Sequence, residues 1–141
     1  MSTGYIYRRN LRFADTDMAG VGHFASVLVL VEEAWHAWLT NLGESVHPAT
    51  APAGAEPVGW PVVSVKIDYR HPVRFGDAIA VLLLPSRIGA RSIQLQFSLD
   101  GPDGEFASGT FTAVCTTQIS TGEWQSRAIP HSLAAKLSSQ R

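Results

Sequence analysis

In the segment FADTDMAGVGHF, Phe13 to Phe24, two carboxylates stand one residue apart, and small residues, two glycines and a long apolar run follow them. Charge placed just before an apolar helix suits acyl-transfer chemistry. The first backbone N–H groups of a helix are unpaired and point outward. They can hold a carbonyl oxygen as it becomes negative, while a nearby carboxylate attacks the carbon or activates a water. Gly20 and Gly22 would let a substrate approach the backbone closely. The same residues admit other readings. GVGHFA matches a glycine fingerprint for dinucleotides, but the remaining chain lacks alternating strand–helix units, and Asp15 and Asp17 would repel a pyrophosphate. Asp15 and Asp17 could hold a divalent ion, yet no further ligands follow at regular spacing. A structural turn, with Asp and Thr bonding local amides, is the simplest alternative.

The elements that must position this segment follow from periodicity. YIYRRNLRF reads as a strand. Val27 to Val31, VLVLV, has strand propensity, but Val31, Ala34, Trp35, Trp38 and Leu42 share one helical face and Gly43 suits a helix end, which predicts one helix from Phe24 to Leu42. That helix is apolar nearly all round and must be buried. Glu44 to Gly59 is rich in Pro, Ala and Gly and reads as a long loop. Beyond it, VVSVKIDYR, RSIQLQFSLD and FASGTFTAVCTTQI alternate with a period of two, the pattern of half-buried antiparallel strands. AIAVLLLP is apolar on both faces and reads as a central or interface strand. GPDGE and STGEW supply hairpin turns, and a short helix begins at Pro130. One buried helix with one antiparallel sheet makes an α+β domain, most simply a sheet of about five strands curled around that helix.

Bulk properties narrow the function. The 141 residues fit a single domain, 1–141, and with 45% hydrophobic and 16% charged residues the chain can bury a core. A net charge of -1 gives no electrostatic case for nucleic acid or an anionic membrane. No apolar stretch approaches the ~20 residues of a membrane span, and the N-terminus lacks the apolar core of a signal peptide, so a cytoplasmic location is expected. Cys115 is the only cysteine, which leaves no internal disulfide and no cysteine metal cluster.

The run FADTDMAGVGHFASVLVLVEEA resembles the entry motif of the 4-hydroxybenzoyl-CoA thioesterase family, which has the hot-dog fold, and IDYRHPVRFGDAIAV is similar to that family's second-to-third strand turn. The resemblance implies hydrolysis of an acyl-CoA thioester to free acid and CoA. It puts Asp17 on the catalytic carboxylate, Phe24 on the residue whose backbone N–H polarises the thioester carbonyl, and Glu32 on a helix acidic position that can face the acyl pocket. Ser26 stands where the family often has Asn, and Val27 where it often has an aromatic residue. The resemblance also implies a homodimer, with a tetramer as a further assembly, and the acyl site between subunits. It calls for no metal or cofactor beyond the CoA of the substrate.

The leaving thiol, with a pKa of roughly 8.5 if it resembles cysteine, needs little acid help. One carboxylate and an oxyanion site therefore suffice in a chain with no Gly-x-Ser-x-Gly elbow. Glu32 and Glu33 are alternative carboxylates on the helix. His23 could bond substrate or water, though a structural role is simpler. His36 reads as packed or at an interface, Trp35, Trp38 and Cys115 as core. Arg87 and Arg91 flank a turn and could meet CoA phosphates. A non-catalytic acyl-CoA or small-ligand binding module on the same fold is the competing function. A hot-dog dehydratase would need a His with an acidic partner, for which no clear equivalent stands in the sequence.

Overall fold

The computed structural model describes residues 4–44 and 58–139. Most of the long loop, 45–57, lies outside the described residues. The elements in order are β1 (Tyr5–Asn10), a short 3-10 turn (Phe13–Asp15), α1 (Phe24–Asn41), β2 (Val58–Gly59), β3 (Val62–Tyr69), β4 (Ala78–Ile88), β5 (Ser92–Gly101), β6 (Gly104–Val114), β7 (Thr116–Gln118), β8 (Trp124–Ser126) and α2 (His131–Ser138). Five strands form one sheet in the order β1-β4-β5-β6-β3, and all its pairings are antiparallel. Long α1 packs on its inner face.

The VLVLV stretch is helical despite its β-branched residues, because only a helix puts Val27, Leu30, Val31, Ala34, Trp35, Trp38 and Leu39 on one buried face. Those side chains join Ile79, Val81 and Leu83 of β4, Ile93, Leu95, Phe97 and Leu99 of β5 and Phe111 of β6 in a single core. An aromatic chain runs through it. Tyr5 stacks on Trp38 at 5.8 Å, and Trp35 meets Trp38, Trp60 and Phe111 edge-on at 6.1, 5.6 and 6.2 Å. Trp35, Trp38 and Cys115 are thus core, and burial pushes the Cys115 thiol up.

Helix α1 ends in a two-bond glycine cap. Gly43, at φ +86, donates to Thr40 O, and Glu44 donates to Leu39 O at 2.9 Å. Lys136 of α2 adds its ammonium to Leu42 O at 2.8 Å, at the negative end of the helix dipole. Helix α2 begins one residue after Pro130, which caps it rather than opening its first turn.

Three expectations need correction. Helix α1 is not buried all round: Val29 and Glu32 are exposed, and Leu28 is half-buried. Strand β3 is not half-buried: seven of its eight positions are exposed, because among the described residues it is an edge strand with β6 as its one neighbour. FASGTFTAVCTTQI is not one strand: it breaks at Cys115 into β6 and β7, and β7 joins a second sheet, β2-β7-β8, whose strands of two or three residues are too short to show a period. Strand β4 lies inside the main sheet, as its apolar composition suggested, with Ile79, Val81 and Leu83 buried and Leu82 exposed on the outer face. No helix among the described residues is long and apolar enough to cross a membrane.

Candidate active site

The two carboxylates of the opening segment have different fates. Asp15 is buried, and the Arg9 guanidinium grips it, with Nη1 donating to Oδ2 at 2.7 Å and Nη2 to Oδ1 at 3.3 Å. The Arg12 backbone N–H donates to the same Oδ2 at 2.8 Å. The Arg9 hydrogen bonds hold the Asp15 carboxyl below its ordinary range, against the opposing effect of burial. A carboxylate so engaged is neither a free base nor an available metal ligand.

Asp17 is exposed. Its Oδ1 accepts from Ala19 N at 2.8 Å and from Val21 N at 3.4 Å, a local turn that fixes the rotamer. Among the described residues Oδ2 has no protein partner. The main chain doubles back here: Asp17 N donates to Val21 O, Gly20 N donates to Asp17 O, and Thr16 bridges Gly22. Gly20 makes this turn possible with φ +77, and a side chain there would meet nothing within 4 Å. Gly22 has a packing reason of its own. A Cβ there would lie 3.0 Å from Val73, with Leu11 and Val27 close behind.

The helix start is built from three bonds. His23 is the N-cap and its Nδ1 accepts from Ala25 N at 3.1 Å, which places the ring proton on Nε2. The His23 N–H donates to Asp15 O at 2.7 Å, and Val27 N donates to His23 O. With these amides used, the N–H of Phe24 is left without an acceptor among the described residues. The Phe24 carbonyl is fixed from the other side, because Tyr69 Oη of β3 donates to it at 2.8 Å. Sequence reasoning missed Tyr69, since alternation placed it on a strand but said nothing about the helix it would reach. His23 is therefore a cap, and its ring stacks on the exposed Phe24 ring at 4.8 Å. Ser26 is half-buried on the first turn.

Glu32 and Glu33 also separate. Glu33 accepts Arg9 Nε at 2.8 Å and Tyr7 Oη at 3.1 Å, so it belongs to the Asp15 cluster. Glu32 lies in an apolar groove of about 210 Å³ between α1 and the β3 edge, lined by Leu28, Val29, Val31, Val62, Val65 and Phe111. His36 is half-buried on the same helix.

The structure does not bring Arg87 and Arg91 to Asp17 within one chain. Asn10, shortly before the Asp17 loop, pairs with Ala78 at the start of β4, whereas Arg87 lies near its other end. A strand of that length separates the ends by about 33 Å. Arg91 also has a local task, its Nη1 donating to Ser126 O at 2.8 Å. Arg87 is exposed.

Comparison with known proteins shows the family and the fold. The Thioesterase-like superfamily model matches residues 11–137. A curated relative in Prochlorococcus marinus (strain MIT 9303), 1,4-dihydroxy-2-naphthoyl-CoA hydrolase, is 35% identical over 96 residues, 65% of this chain and 64% of the relative. The protein of that name in Nostoc punctiforme is 30% identical over 112 residues, 79% of this chain and 73% of its own length. Among solved structures, the 1,4-dihydroxy-2-naphthoyl-CoA thioesterase of Synechocystis superposes with a TM-score of 0.79 at 22% identity, covering 95% of each chain. The expected 4-hydroxybenzoyl-CoA branch is thus matched at the level of the superfamily, and the curated relatives named here act on a different aryl group. This chain belongs to the Thioesterase-like superfamily and has its hot-dog fold.

Proposed function

We propose that this protein is an acyl-CoA thioesterase that hydrolyses a hydroxylated aromatic acyl-CoA, with Asp17 as the reacting carboxylate and the Phe24 N–H as the oxyanion donor. The observation that carries the reading is the division of labour at the helix start. His23 and Asp15 take the Ala25 and His23 amides, the Phe24 and Ser26 amides and one Asp17 oxygen are left over among the described residues, and a short hydrogen-bonded loop joins the Asp17 oxygen to the Phe24 amide, the first of the helix. The thioester oxygen would lie against the Phe24 N–H, where the amide and the helix dipole stabilise developing negative charge. Asp17 Oδ2 then attacks the acyl carbon, giving a mixed anhydride and CoA thiolate, and water cleaves the anhydride to the free acid. Alternatively, the same oxygen takes a proton from a water that attacks the carbon directly. Both routes use one oxygen and end at acid plus CoA.

The acyl group would extend along α1 into the groove. Glu32 is eight residues beyond Phe24, about 12 Å along the axis, and its Cα–Cβ bond tilts back toward the helix start. One carboxylate on an otherwise apolar wall suits an aromatic ring bearing a hydroxyl that donates to it. The names of the curated relatives support that class.

Among the described residues the site is open, and the proposed remedy is a homodimer. Among the described residues strand β3 leaves a whole edge unpaired, with Val62, Val63, Val65 and Tyr69 exposed along it. Such an edge invites pairing. A two-fold axis makes the two β3 strands antiparallel. It thereby sets the Val62 end of one copy beside the Tyr69 end of the other. The turn that carries Arg87 and Arg91 lies toward the Val62 end of the sheet, since Val62 pairs with Ala113 and Ala113 with Ile93. Those cations would thus serve the CoA phosphates of the opposite subunit's site. Exposed Ile6 and Leu82, partners across β1 and β4, offer an outer face for a tetramer.

The test is thiol release from a panel of hydroxyaryl, aryl and short aliphatic acyl-CoAs. Release fastest from the hydroxyaryl members is expected. Tight binding with no release from any member would instead establish a binding module.

A further inference from the structure

We infer that Arg9 is a positioning residue for hydrolysis, one that sets the spacing between the Asp17 carboxylate and the Phe24 amide without touching either; the inference rests on the function proposed above. Arg9 sits on β1, and its planar guanidinium reaches two other elements. Nε donates to Glu33 Oε1 of α1 at 2.8 Å and Nη2 to Glu33 Oε2 at 3.4 Å. Nη1 and Nη2 hold both oxygens of Asp15, and Nη1 also donates to Asn10 O at 3.0 Å. One bond of each fork, Nε to Glu33 and Nη1 to Asp15, is short and charge-assisted. The Asp15 arm is sheltered, with 10% of the Arg9 side chain and 12% of the Asp15 side chain exposed, while the Glu33 side chain is 32% exposed.

Asp15 carries the effect onward. Its side chain belongs to Arg9, while its main-chain carbonyl takes the His23 N–H at 2.7 Å. It stands two residues before Asp17, and His23 stands one residue before Phe24. The path from β1 to both reacting groups therefore runs through one residue whose orientation Arg9 and the Arg12 amide fix. The Glu33 arm ties the same cation to α1, so strand, loop and helix keep one geometry. Lysine cannot reproduce this, because a single ammonium cannot fork two carboxylates. Displacement of about 1 Å at a reacting group can cost on the order of 100-fold in rate.

The experiment compares wild type with Arg9→Lys, Arg9→Ala and Glu33→Gln, all checked for folded secondary structure. In Arg9→Lys, kcat should fall about 10- to 100-fold with KM changed no more than about threefold. Guanidinium ion at concentrations far below denaturing should restore part of the kcat of Arg9→Ala, and sodium ion should not. If Arg9→Ala does not fold, Arg9→Lys and Glu33→Gln carry the test, and Glu33→Gln should show a smaller fall in kcat. Hydrogen exchange gives a readout independent of turnover: the His23 amide should exchange at least about tenfold faster in Arg9→Lys, while core amides of β5 keep wild-type rates. A folded Arg9→Lys with wild-type kcat and wild-type His23 exchange overturns the inference, as does a loss confined to KM. An inactive wild type would overturn the proposed function and with it the link to hydrolysis, whereas wild-type His23 exchange in Arg9→Lys beside an active wild type would overturn the positioning role alone.

Discussion

Replacing Val65 with aspartate should weaken the proposed dimer and make activity depend on protein concentration. Val65 faces buried Phe111 across the β3–β6 ladder and leaves 47% of its surface exposed in the single chain. Burying a whole valine side chain contributes about 2 kcal/mol, so covering the exposed half contributes about 1 kcal/mol per copy. Two copies make that about 2 kcal/mol, or roughly 30-fold in the dimer Kd at tenfold per 1.4 kcal/mol. Two carboxylates brought close across the two-fold add repulsion, so the figure is a lower bound. Light scattering after size exclusion, run over a wide concentration range, reads the dimer fraction, and thiol release per chain is followed in the same samples. The variant's activity per chain should climb with concentration in step with its dimer fraction. Damage to the groove alone would lower activity equally at every concentration. A wild type that is monomeric while fully active would refute the reasoning, and so would an unchanged dimer Kd in Val65→Asp.

Three further outcomes are expected. Because Arg9 lowers the folded pKa of Asp15, its contribution to stability is complete above about pH 4 and disappears as pH falls through the lower folded value; Asp15→Asn should cost about 3 kcal/mol in urea unfolding at neutral pH and flatten that part of the pH profile. His23→Ala removes the acceptor of the Ala25 amide and should cost about 1 kcal/mol, whereas His23→Asn, which keeps a capping acceptor, should stay near wild type in thermal unfolding. Arg87→Ala should raise KM for an acyl-CoA roughly fivefold, equivalent to about 1 kcal/mol, and leave KM for the matching acyl-pantetheine unchanged; equal effects on both substrates would remove the phosphate role.

Much of the fold was legible because burial imposes period. Ile93, Leu95, Phe97 and Leu99 alternate in sequence and are buried in the structure. The helix was legible through Ala34, Trp35 and Trp38 even though Val27 to Val31 favoured a strand locally. Alternation failed at β3, where Val63 and Val65 look like core residues but lie on an edge that no described strand covers; sequence pattern records that a face is apolar, not which chain covers it. At the site, spacing singled out Asp15 and Asp17 together and could not separate them. What separates them is Arg9, six residues before Asp15, whose reach depends on how β1 lies against α1. Gly20 and Gly22 likewise look equivalent in sequence, yet one supplies a left-handed turn and the other makes room for Val73. The Tyr69 bond to Phe24 joins residues 45 apart and leaves no local pattern.

The most direct measurement is the turnover of Asp17→Asn on the best acyl-CoA of the panel, beside its urea unfolding. Asparagine keeps an Oδ1 able to accept the Ala19 and Val21 amides, so the loop should hold and stability should change by less than about 0.5 kcal/mol. The account predicts a loss of kcat of about 100- to 10,000-fold in that folded variant. Hydrolysis at the wild-type rate would contradict it.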